Sequence, residues 1–203
     1  MTAYENYVRD FPARCLDLLK LAEKPARLKQ REVTLALMVA SSGFVVPLER
    51  LSVRKAHPTR DAATYAESAK NLDLLLSSKF LESLLGVDSN SWRGGMLTSI
   101  EGNPDSWSEL AKPKPLSKEK TVGGVIRVVR NALAHGNIFT YKNPIDAIVF
   151  VCTNMDDDRN ITDFSFIMSS PDDFLRFLKG WFGFLDTAHI PAEVAEDGVA
   201  NAA

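Results

Sequence analysis

The residues of this chain best suited to chemistry lie together in the segment 130–136, which reads Arg-Asn-Ala-Leu-Ala-His-Gly. Its polar side chains belong to Arg130, Asn131 and His135. A histidine can accept and donate a proton near neutral pH, and an arginine can hold the charge that builds on a phosphate. The amide of Asn131 could orient either the imidazole or the phosphate. An arginine and a histidine are together the minimal equipment for cutting RNA without a metal ion.

An amphipathic helix predicted over residues 117–136 would position these side chains. Arg127, Arg130, Asn131 and His135 fall on its polar side, opposite an apolar stripe. Asn131 and His135 are four residues apart and stack along one line, whereas Arg130 lies roughly 140° round the helix from His135. We expect the polar side to line a groove that the long Arg130 side chain can still reach. Arg127 could add a phosphate contact. The stripe consists of Val122, Val125, Ile126, Val129 and Leu133.

The same residues also have a purely structural interpretation. Cationic side chains are favoured near the C-terminal end of a helix, because they offset the negative end of the helix dipole. The amide of Asn131 could simply satisfy buried carbonyl groups. Position in the helix alone therefore leaves both interpretations open.

Composition limits the other classes of function. The chain has 203 residues, enough for one domain with a core, and a formal net charge of −2. No broad basic surface is expected, so any RNA contact must come from a local patch that two subunits could share. Cys15 and Cys152 lie far apart and are expected to be isolated thiols, and the three histidines form no zinc motif. We therefore expect neither a metal nor a cofactor.

The sequence favours a cytoplasmic protein that does not bind a membrane. Residues 1–10 lack the basic start and apolar run of a signal peptide. The most apolar stretch, Val33–Leu48, is interrupted at Ser41, Ser42, Gly43 and Pro47. It is therefore predicted to be too short to span a bilayer.

Helical spacing of apolar residues predicts further helices around the one that carries Arg130 and His135. The predicted helices cover residues 3–24, 26–46 and 59–85, and the first two end at prolines. A last helix is capped by Ser170 and begins at Pro171.

Two segments break the helical pattern. Residues 87–116 are rich in turn-forming residues and predict a long loop, which Trp92 and Trp107 would anchor to the helices. Residues 145–168 contain two apolar runs of period two on either side of an acidic turn, the pattern of a β-hairpin. The aspartates at 156–158 lack the spacing of a calcium loop, so a solvated turn is expected.

We predict a single domain over residues 1–190, because the sequence shows no internal repeat and no linker. Residues 191–203 are Ala-rich and acidic, with little to pack, and predict a disordered tail. No phosphate-binding glycine motif and no serine nucleophile elbow is present in the sequence.

The segment from Arg130 to Gly136 resembles the signature of the HEPN superfamily. That signature is an arginine, a polar residue that is often asparagine, a few variable residues and a histidine, on a late helix of a four- or five-helix bundle. Here four residues separate Arg130 from His135, Asn131 is the favoured polar residue, and glycine follows the histidine as in many members. The resemblance implies a mainly α fold, a HEPN-like four- to five-helix bundle, here with an inserted β-hairpin.

The resemblance also implies a homodimer in which two copies of the motif helix face one cleft. Many such proteins are metal-independent endoribonucleases of toxin–antitoxin or defence systems, so RNA and an antitoxin protein are implied partners. Arg130, Asn131 and His135 would be catalytic, Arg127 would bind substrate, and the products would carry 2′,3′-cyclic phosphate and 5′-hydroxyl ends. Two alternatives stay open: a non-catalytic HEPN module that binds a nucleotide, RNA or protein, and an unrelated helical scaffold.

Overall fold

A layer of helices packs on one face of a five-stranded antiparallel sheet in the computed structural model, which describes residues 7–51 and 62–188. Its helices are α1 (Tyr7–Leu28), α2 (Glu32–Leu51), α3 (Ala62–Ser77), α4 (Ser108–Ala111), α5 (Val122–His135) and α6 (Pro171–Thr187). Its strands are β1 (Arg93–Leu97), β2 (Lys114–Pro115), β3 (Ile138–Tyr141), β4 (Ala147–Met155) and β5 (Ile161–Ser169). Short 3₁₀ turns lie at Phe80–Glu82 and Pro104–Ser106.

Helices α1 and α2 continue past the prolines that were predicted to end them. Pro25 lies inside α1 and Pro47 inside α2, so both predicted ends are wrong. A proline costs one hydrogen bond within a helix. Both helices pack along α6 and against each other, and this packing overrides the local preference.

The uninterrupted helix α2 also corrects the prediction that its apolar stretch is too short for a membrane. The window Glu32–Glu49 has a mean hydropathy of 1.4 and is long and apolar enough to cross one, by length and composition alone. Its inner side, with Ala36, Ala40 and Phe44, is buried in the core. Core helices satisfy the same criterion.

Helix α6 supplies the aromatic centre of the core. The Phe44 ring centroid lies 5.6 Å from that of Phe177 and 5.5 Å from that of Trp181. The indole Nε1 of Trp181 donates to the main-chain oxygen of Gly43 at 2.9 Å. The predicted start of α6 is confirmed, since the Ser170 hydroxyl accepts from a main-chain amide of its first turn at 3.2 Å. Aromatic packing therefore fixes α2 against α6.

The sheet is larger than the predicted hairpin, although the α-rich character is as expected. Strands β4 and β5 form the predicted hairpin, but the sheet order is β2-β1-β5-β4-β3. Alternate residues of β4, such as Phe150, face the helices, and the others, such as Val149, face a second apolar cluster that includes Trp107. The fold is therefore α-rich as predicted, and it carries a five-stranded sheet where the sequence predicted only an inserted hairpin.

The segment 87–116, predicted as a long loop, contributes the edge strand β2, the strand β1 beside it and part of the cover of the outer sheet face. Trp92 is buried against Phe80, with ring centroids 4.7 Å apart, so it anchors the segment to the helices as expected. Trp107 packs instead on Phe139 of β3, at 5.0 Å, and so anchors the segment to the sheet. Both tryptophans hold β1 and its neighbours in place.

Some predictions extend beyond the described residues. The tail at 191–203, the end of the domain at 190, the start of the first helix at 3 and the start of the third at 59 all lie outside them. Helix α3 is described from Ala62 and ends at Ser77, before the predicted end at 85.

Candidate functional site

The C-terminal end of α5 presents the candidate residues. Thr121 caps the start of the helix by accepting from the Gly124 amide at 3.1 Å. Gly136, with a φ of 70°, turns the chain out of the helix in the left-handed conformation that glycine favours. The Asn137 amide then donates to the main-chain oxygen of Ala132 at 2.9 Å. This cap leaves His135 as the last helical residue, directly before the turn into β3.

His135 and Asn131 line one pocket of about 230 Å³. The expectation that these two residues share a line on the helix and border a groove is therefore met. The Asn131 amide nitrogen lies 3.5 Å from Cys152 Sγ, the length of a weak N–H···S hydrogen bond, and His135 is exposed. The remaining lining residues are Asn137 after the helix and Val151, Cys152, Thr153 and Met155 of β4. The pocket thus lies between the C-terminal end of α5 and strand β4.

The contribution of β4 to this pocket is new relative to the sequence prediction. Cys152 was expected to be an isolated thiol, and it is a free, half-buried cysteine. Its place opposite Asn131 depends on how α5 packs against β4, and these two elements are in contact. The apolar alternation of the strand predicted its existence but not its position beside the helix.

Arg130 is directed away from this pocket. Its Nη2 donates to Glu49 Oε1 of α2 at 3.0 Å, and the two side chains are 38% and 35% exposed. The long arm was expected to reach the groove of His135, and it lies instead against α2. The angular separation along α5 and the attraction of the Glu49 carboxylate together account for this orientation. One chain therefore places the arginine and the histidine on different sides of one helix.

The residues that line the pocket include no lysine, arginine, aspartate or glutamate. Arg127 is exposed on α5. Among the described residues, no group of three or more histidine, cysteine or acidic side chains could hold a metal ion.

This arrangement can move a proton and orient a polar ligand. An exposed imidazole at the mouth of a pocket can exchange a proton with a bound hydroxyl group, and the amides of Asn131 and Asn137 can donate and accept hydrogen bonds beside it. Arg130 donates to Glu49 through one nitrogen only. Because a guanidinium has five N–H donors, the remaining donors of Arg130 can still bind a phosphate.

Comparison with known proteins agrees with the motif. Neither a curated protein nor a solved structure matches the sequence. The model of one protein family, HEPN pEK499 p136, matches residues 1–192. That match spans the motif, the sheet and the helices on both sides of them, so the chain belongs to the HEPN pEK499 p136 family.

Proposed function

We propose that the protein is a metal-independent endoribonuclease that acts as a homodimer with a composite Arg/His site. The observation that carries the proposal is the pocket at the end of α5, where exposed His135 and half-buried Asn131 lie beside β4. His135 acts as general base or acid on the RNA 2′-hydroxyl or the leaving 5′-oxygen. Asn131 orients the imidazole or the phosphate. Arg130 stabilises the charge that grows on the scissile phosphate, with Arg127 as a further phosphate contact.

A second copy of the chain is needed because one chain separates the two principal groups. Arg130 lies toward Glu49 on α2, whereas His135 opens toward β4. In a two-fold dimer, the same surfaces meet reciprocally, so a guanidinium from one copy can approach the imidazole of the other. Family membership favours this arrangement, because the HEPN resemblance implies two motif helices that face one cleft. The proposed setting is a cytoplasmic toxin or defence system in which an antitoxin protein restrains the enzyme.

The test is cleavage of single-stranded RNA in EDTA by the wild type, His135→Ala and Arg130→Ala. Matched controls are His189→Ala, another histidine of the sequence, and Arg159→Ala in the β4–β5 turn. We expect both site variants to lose cleavage at unchanged thermal stability, and both controls to retain it. The products should carry 2′,3′-cyclic phosphate ends. Equal cleavage by all five proteins would exclude this site.

A non-catalytic binding module is the second candidate, and the Arg130–Glu49 ion pair is the observation that favours it. A carboxylate 3.0 Å from the guanidinium partly neutralises the charge that transition-state stabilisation needs. A protein that binds RNA or a nucleotide tightly and cleaves no RNA in the same assay would establish this alternative.

A further inference from the structure

The geometry points to a nucleobase subsite on β4 and β5, beside the His135 pocket, that selects guanine through Asn154 and Asp163. This inference rests on the proposed function, because it assigns a base-recognition surface to the same RNA site. No part of the HEPN motif contributes to it.

The subsite adjoins the pocket along one face of the sheet. Cys152, whose thiol lies against Asn131, and Asn154 are alternate residues of β4. Alternate residues of a strand project from the same face, about 7 Å apart. Across the ribbon, Ser165 pairs with Cys152 and Asp163 pairs with Asn154. The cluster formed by Asn154, Asp163 and Ser165 is half-buried, and so it remains open to a ligand.

Hydrogen bonds fix the orientation of the Asn154 amide. Its Nδ2 donates to Asp163 Oδ1 at 2.5 Å and to Ser165 Oγ at 2.7 Å. A carboxylate can only accept, so the amide turns its nitrogen, and not Oδ1, to Asp163 Oδ1. The Ser165 hydroxyl in turn lies 3.6 Å from Met96 Sδ, where it can donate a weak hydrogen bond. Both N–H groups of the amide are therefore in use.

What remains for a ligand is a pair of acceptors. Asn154 Oδ1 and Asp163 Oδ2 accept no hydrogen bond from the residues that the structure describes. A carboxylate repels phosphate, so the backbone of an RNA would not bind at this cluster. The matching ligand is a neutral group with two neighbouring donors.

Guanine is the nucleobase with that pattern. Its N1–H and N2–H donors lie side by side on the Watson–Crick edge, whereas adenine and cytosine place a donor next to an acceptor and uracil offers one N–H between two carbonyls. Such edges are read in single-stranded RNA, whose bases are free of partners. Exposed Met96 and pocket-lining Met155, 49% and 59% exposed, supply apolar surface for the faces of the base. The phosphate would lie toward His135 and the base toward the sheet.

The experiment measures binding of 2′-O-methyl pentanucleotides, which lack the attacking hydroxyl and cannot be cut, by fluorescence anisotropy. Five probes differ only in the central base: guanine, inosine, adenine, cytosine or uracil. The wild type should bind the guanine probe at least about fivefold more tightly than the adenine probe, the effect of one bidentate base contact. Inosine, which lacks the N2 amino group, should fall between them. Equal binding of the five probes by the wild type would overturn the inference.

Variants of the cluster test whether its side chains cause the guanine preference. Asp163→Asn and Asn154→Ala should lose discrimination among the probes while still binding all of them. Asp158→Asn, in the turn of the same hairpin, makes the same charge change and should keep the guanine preference. Retention of that preference in Asp163→Asn would also overturn the inference.

The nuclease and the subsite can fail separately in these assays. Cleavage without base preference in binding would leave the nuclease standing and refute the subsite. Guanine preference in a protein that cuts no RNA would leave the subsite standing and refute the nuclease. Failure to bind any probe would refute both.

Discussion

The ion pair between Arg130 and Glu49 should limit how tightly the protein holds RNA. The guanidinium nitrogen lies 3.0 Å from the Glu49 carboxylate, so a phosphate that binds Arg130 also meets a negative charge. Glu49→Gln removes that charge and keeps a side-chain oxygen that can accept from the same N–H. The variant should therefore hold Arg130 in place and bind single-stranded RNA more tightly than the wild type.

The size of the effect follows from the geometry. A further hydrogen bond of about 3 Å from Arg130 to the phosphate puts the two anions roughly 6 Å apart. Their repulsion is then about 0.7 kcal/mol in water and about 2.8 kcal/mol at an effective dielectric constant of 20. Both side chains are more than a third exposed, so the lower end applies. We expect roughly threefold to tenfold tighter binding at low salt.

The assay is anisotropy with an uncleavable 2′-O-methyl RNA at low and high salt. The gain should shrink at high salt, because salt screens exposed charges. Glu119→Gln is the matched control, since Glu119 forms an exposed ion pair with Lys79 at 3.1 Å and the variant changes the net charge equally. Unchanged or weaker binding by Glu49→Gln, or an equal gain in the control, would refute the reasoning.

Two further predictions concern the packing of α6. A Cβ at Gly180 would lie 2.4 Å from the Leu85 carbonyl oxygen, whereas one at Gly183 meets nothing within 4 Å. In urea unfolding, Gly180→Ala should lower the free energy of unfolding by about 1–3 kcal/mol, because the new methyl group clashes with the main chain. Gly183→Ala should raise it by up to about 1 kcal/mol, because alanine favours a helix more than glycine does. Glu23 bonds to Lys179 at 2.5 Å, and this contact lowers the pKa of its carboxyl below the usual 4.5. Glu23→Gln should be less stable than the wild type by about 1 kcal/mol at neutral pH.

Each of these two predictions is tested by comparing two stability measurements. Equal changes in stability for the two glycine variants would refute the close approach of α6 to Leu85. For Glu23, the folded pKa is depressed, so the stabilisation exists above pH 4.5 and is lost as pH falls through the folded pKa. A stability difference from Glu23→Gln that stays constant from pH 7 to acid would contradict this cause.

Local signals in the sequence predicted the elements that position the pocket. The start of α6 at Ser170, the end of α5 at Gly136 and the shared line of Asn131 and His135 all depend on residues within one or two helical turns. Such contacts are fixed by short-range geometry, which is why spacing alone was sufficient.

Long-range packing decided what the sequence did not predict. The pairing of Arg130 with Glu49 joins residues 81 positions apart, and no periodicity within α5 points to it. Strand β1 contains Gly94 and Gly95, which disfavour a strand locally, and it forms because it pairs with β5. The β4 wall of the pocket likewise follows from tertiary contact between α5 and the sheet.

The most direct test of the central claim mixes two inactive variants. The variants Arg130→Ala and His135→Ala are each expected to lack RNA cleavage in EDTA. If the site takes Arg130 from one copy and His135 from the other, exchange of subunits rebuilds one site in each mixed dimer. Half of the dimers are then mixed and half of their sites are intact, so about a quarter of wild-type activity should return. A mixture that stays as inactive as its components would contradict a site shared between two copies.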